Sequence, residues 1–124
     1  MKLRTDTVGH FDNPTEDILR GAIVYSGEGG HEGDLVKLMI DEDHFLCIWV
    51  GQRSDGHRLI LRSGPWTVEC TEKLSSETVL DLMSSYLHED LSPLKKLPWT
   101  RPLDKIFLDN IRKLQAIANK QAKL

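Results

Sequence analysis

Between Leu35 and Thr71 four apolar segments follow one another with only short polar or glycine-containing links between them. Leu35–Ile40 is apolar apart from Lys37. Phe45–Val50 is apolar throughout, the pattern of a strand covered on both faces. His57–Arg62 is the third segment. In the fourth, Trp66, Val68 and Cys70 alternate with Thr67, Glu69 and Thr71, as in a half-buried strand. The links are Asp41-Glu42-Asp43, a turn centred on Ser54-Asp55-Gly56, and Ser63-Gly64-Pro65. Strands this close leave no room for the long crossover that a parallel pair requires, so they predict an antiparallel four-strand meander.

Helical periodicity flanks the meander. Asn13-Pro14 suits an N-cap followed by proline at the first helical position, and Glu16 and Asp17 complement a helix dipole. Ile18, Leu19, Ala22 and Ile23 then recur at helical spacing, predicting a helix over Pro14–Tyr25. A glycine-rich loop over Ser26–Gly33 leads into the first strand. After the meander, Ser75 as N-cap places Leu74 and Val79 as a hydrophobic staple. Val79, Leu82, Met83, Tyr86 and Leu87 line one face of this second helix. Pro93 and Pro98 mark an irregular connection containing Trp99. A third helix is expected over about 102–119, with a frayed end over 120–124. The expected fold is α+β, an antiparallel four-strand meander packed against helices in the order α-β-β-β-β-α-α, in one domain spanning 1–124.

Charge is distributed unevenly. Residues 1–90 carry 17 Asp/Glu and 8 Lys/Arg, a formal −9, whereas residues 91–124 carry 2 and 8, a formal +6. The acidic body could face a basic partner, and the basic tail could dock on that body or touch nucleic acid. Direct nucleic-acid binding is not the expected role. Trp99 among the tail's cations could stack on a base, but the pI of about 5.9 is far from that of a basic nucleic-acid binder.

Signals for chemistry are sparse. The glycine-rich loop lacks the lysine and Ser/Thr of a phosphate-binding loop, and Glu28, Glu32 and Asp34 would repel an anion. His31, Glu32 and Asp34, with His10 or His44, could be read as metal ligands, but they lack the spacing of an established metal motif. Ser63 sits in a turn and Cys47 in the most apolar strand, neither an attractive nucleophile. No catalytic residue, metal or cofactor is therefore expected. The polar start Met1–Asp6 has no apolar core behind it, no segment approaches the length of a membrane span, and Cys47 and Cys70 form no CxxC pair. These features predict a cytoplasmic chain with two free thiols and no membrane partner.

The run Asn13-Pro14-Thr15-Glu16-Asp17-Ile18, the apolar meander and the helix of Leu74-Ser75-Ser76-Glu77-Thr78-Val79-Leu80-Asp81 resemble small bacterial immunity proteins. These are encoded beside secreted polymorphic toxins, including contact-dependent inhibition systems. The resemblance is architectural and covers about 75 residues, from Asn13 to Asp90. It implies a non-enzymatic protein that binds and blocks a cognate toxin. A nuclease toxin with a basic groove would suit an acidic body. The candidate partner-binding residues are then Glu28, Glu32 and Asp34, Asp41, Glu42 and Asp43, and Trp99. A self-associating subunit, including a homodimer, and a small enzyme with a dispersed site are the alternatives.

Overall fold

The chain turns back on itself within its first twelve residues. The side chain of Thr5 accepts the backbone N–H groups of Val8 and Gly9 at 2.9 and 2.8 Å, and Gly9 takes a φ of +114° that disfavours any residue with a Cβ. This closes a hairpin of β1 (Lys2–Thr5) and β2 (His10–Asp12). The computed structural model describes residues 1–28, 31–52 and 55–122, the side chains of 27, 28 and 122 excepted. The meander follows as β3 (Leu35–Asp41), β4 (His44–Trp49), β5 (Arg58–Ser63) and β6 (Trp66–Glu69). The first twelve residues, of which Met1–Asp6 read from sequence as a polar start, thus add two strands. Strand β1 pairs with β3, giving one six-stranded antiparallel sheet in the order β2-β1-β3-β4-β5-β6. The α+β class holds. The four-strand meander and its α-first order are corrected to six strands, with a hairpin ahead of the first helix.

Helix boundaries follow their caps. Thr15, not Asn13, caps α1 (Glu16–Glu28), accepting the Ile18 N–H at 3.3 Å. Asn13 instead takes a left-handed φ of 50° that turns the chain out of β2. The helix runs beyond Tyr25, so Ser26 is helical and buried; Gly29 and Gly30 of the expected loop lie outside the described residues. Ser75 caps α2 (Ser76–Leu87) as expected, accepting the Thr78 N–H at 3.2 Å. The expected irregular connection contains one short helix, α3 (Ser92–Lys95). The last helix, α4 (Lys105–Ala122), starts later than expected because Asp104 caps it, and it continues through most of the supposed frayed end. Residues 123 and 124, and Ser54 of the expected turn, lie outside the described residues. No described helix is long and apolar enough to cross a membrane.

All four helices among the described residues lie on one face of the sheet. Leu19 and Ile23 of α1, Val79, Met83 and Tyr86 of α2, Leu94 of α3 and Ile111 of α4 share one buried cluster with Leu3, Leu38, Leu46, Ile48, Leu59 and Leu61. The basic C-terminal segment docks here without ion pairs to the acidic body: among the described residues no salt bridge joins 91–122 to 1–90. Side-chain amides do part of that work. Gln115 donates to the Tyr86 carbonyl at 2.8 Å and Asn119 to that of Leu87 at 3.3 Å, both at the C-terminus of α2.

Candidate functional site

Strand alternation sends every second side chain to the face that the helices leave uncovered. Cross-strand register places Met39 beside Phe45, Lys37 beside Cys47 and Leu35 beside Trp49. On the other side of β4, Ile60 stands beside Cys47, with Arg58 and Arg62 beside Trp49 and Phe45. Met39, Phe45 and Cys47 form a second buried cluster with Leu35 packed on it, and no described helix residue joins them. The uncovered face of an antiparallel sheet ordinarily turns polar residues to water. Here its centre is apolar, so the expectation that β4 is covered on both faces is half met: helices cover one side, and charged side chains the other.

Cations do the covering. The Lys37 ammonium lies 4.2 Å from the centre of the Phe45 ring, and the Arg58 guanidinium 4.8 Å from that of Trp49. Such cation–π contacts leave the aliphatic stems lying along apolar surface. Carboxylates on the rim hold three arginines in place: Glu42 pairs with Arg4 at 3.1 Å, Asp43 with Arg62 at 3.0 Å, and Glu69 with Arg58. Trp49 stays 42% exposed despite Arg58. The face thus has an apolar centre, a rim of ion pairs, and exposed tryptophan and arginine, the residues most enriched at binding hot spots.

The predicted partner-binding residues fall around this face without forming one cluster. Glu32 and Asp34 precede β3, whereas Asp41 ends it and Glu42 and Asp43 follow, roughly 20 Å away along a seven-residue strand. Glu32 is exposed; Asp34 accepts a hydrogen bond from the Thr7 hydroxyl. Asp41 accepts from His44 Nδ1 at 2.7 Å and from the Asp43 N–H at 2.8 Å. Its partial burial opposes ionisation, but those bonds outweigh it and hold the carboxyl below its ordinary range. Glu28 closes α1, and its side chain lies outside the described residues. Trp99 is elsewhere. Half-buried, it donates Nε1–H to the Leu94 carbonyl at 2.7 Å and bridges to Cys70, pinning the segment after α3 to the edge of β6. Sequence reasoning missed Trp49, Arg58, Lys37 and Phe45 as a group, because they lie on three strands and meet only through cross-strand register.

Two serine–histidine juxtapositions test the enzyme alternative. His57 is buried, and its Nδ1 accepts the Gly51 N–H at 3.1 Å. The ring proton is therefore on Nε2, which donates to Ser76 Oγ at 2.7 Å. A histidine in that tautomer cannot take the serine's proton. In the second case Asp41, His44 and Ser63 fall in sequence along one end of the sheet, and His44 and Ser63 line a groove of about 410 Å³ between the β5–β6 turn and the start of α4. Asp41 orients His44, yet no hydrogen bond joins His44 to Ser63, and the neighbouring Gly64 N–H is already donated to the Asp43 carbonyl at 2.9 Å. Burial pushes the Cys47 thiol up to about 12, which keeps it protonated and unreactive. Cys47 and Cys70 belong to the clusters on opposite faces of the sheet, so both stay free thiols. Among the described residues no three His, Cys, Asp or Glu side chains converge as a metal site requires. Comparison with protein-family models, with curated proteins and with solved structures finds no match.

Proposed function

We propose that this chain is a non-enzymatic protein-binding domain that works in the cytoplasm as an immunity protein, gripping a cognate bacterial toxin with the open face of its sheet. The supporting observation is the apolar centre of that face, which among the described residues is shielded by Lys37, Arg58 and neighbouring charged side chains. A partner that displaces them buries Trp49, Leu35 and Ile60 and keeps the rim wet, the anatomy of a specific interface. The toxin as partner is favoured by the resemblance of the Asn13–Ile18 and Leu74–Asp81 segments to immunity proteins. Charge fits the same picture. Glu32 at one end of β3, and Glu42 and Asp43 at the other, can meet basic residues of a nuclease-type groove by exchanging their present partners. Two free buried thiols suit a reducing compartment.

The test is co-expression with the toxic domain encoded beside the gene. Survival of the host and a complex that co-purifies are the expected result. Reversing Glu32 to lysine is expected to slow association and flatten its salt dependence while leaving the fold intact. Turnover of a substrate by the isolated chain, abolished by a single change in the His44–Ser63 groove, would replace this reading with the enzyme one.

A further inference from the structure

We propose that a second copy of this chain docks on the groove between the β5–β6 turn and the start of α4, forming a two-fold dimer through Trp66 and Ile106. Trp66 is 57% exposed and Ile106 78%, the highest values among the large apolar side chains described. Both line the same groove, whose floor and walls include Leu103 and Phe107. Isolated exposed apolar residues are ordinary; two large ones beside one furrow are a patch. A surface that carries both protrusions and the furrow between them is self-complementary, which is what a two-fold interface demands.

The charges are self-complementary as well. Arg101 stacks over Trp66 with its guanidinium 5.8 Å from the ring centre, and among the described residues no carboxylate pairs with it. Asp104, on the same groove, spends one oxygen capping α4. A two-fold axis through the groove sets Arg101 of one copy against Asp104 of the other. At Glu69 the edge of β6 is closed to strand pairing, because Thr100 covers its outward groups: the Thr100 N–H donates to the Glu69 carbonyl at 2.9 Å and its hydroxyl accepts the Glu69 N–H at 3.1 Å.

Sedimentation equilibrium tests the proposal on the full chain at roughly 100 µM, where even micromolar affinity assembles dimers. The expected mass is twice the 14.1 kDa of the chain. Trp66→Ala and Ile106→Asp are each expected to return it to a single chain mass with an unchanged melting curve, since neither side chain is buried in the core. Both variants are expected to go on protecting against the toxin, because the open sheet face is untouched; the dimer and the toxin site therefore fail separately. A wild type that stays at a single chain mass would overturn the proposal, and so would a dimer that survives both substitutions.

Discussion

Glu89 carries a local strain that a single substitution can read. It follows α2 with a left-handed φ of 65°, and its N–H donates to the Tyr86 carbonyl while that of Asp90 donates to Ser85. This pair of bonds is the Schellman ending, which glycine fills without steric cost. Glu89→Gly is expected to raise stability by about 0.5–1 kcal/mol in urea unfolding; an equal or lower midpoint would contradict the assigned ending. His57 carries the clearest pH dependence. Burial lowers its pKa from the ordinary 6.5, so the folded chain keeps the ring neutral while the unfolded chain takes up a proton. Its contribution is therefore complete above about 6.5 and is lost as pH falls through that value toward the folded pKa. His57→Asn keeps an acceptor for the Gly51 N–H and removes the titration. Unfolding midpoints at neutral and mildly acidic pH are expected to fall further for the wild type than for the variant. Equal falls would show that another group carries the acid sensitivity.

Among the elements, α2 was the most legible. Its cap, its staple and its apolar stripe were all local signals, and Val79, Met83 and Tyr86 are fully buried against the sheet. Val79→Asp would place an unpaired carboxylate in that cluster and is expected to cost on the order of 4 kcal/mol or more. A variant with the wild-type melting temperature would mean that α2 is packed otherwise. The four central strands were also legible, because alternation and short links are local. Strands β1 and β2 were not. Met1, Leu3 and Thr5 do alternate inward, but three positions set among Lys2, Arg4 and Asp6 read as a polar start. What makes β1 a strand is its pairing with β3, a contact across more than thirty residues that no local pattern contains.

At the scale of the whole molecule, the sequence's charge asymmetry becomes a division of labour that composition could not reveal. The basic segment packs on the helix side through apolar contacts and the amides of Gln115 and Asn119, while half of the acidic clusters are spent on ion pairs at the sheet rim. Glu42 and Asp43 were legible as acids but not as partners of Arg4 and Arg62, since pairing depends on register. The candidate face was hidden for the same reason: Trp49, Phe45, Lys37 and Arg58 meet only when β3, β4 and β5 align. The two thiols give an independent check on this layering. Titration of native protein without reductant is expected to find neither reactive, and denaturation to release two; finding none after denaturation would mean a disulfide across the sheet, against its layering. The central claim is that the open face holds the partner. Calorimetric titration of the cognate toxin domain into the wild type and into a Leu35→Ala/Trp49→Ala variant tests it most directly. The predicted result is a tight complex weakened at least about 30-fold by the double substitution, with the fold intact. Equal affinity for both proteins would contradict it.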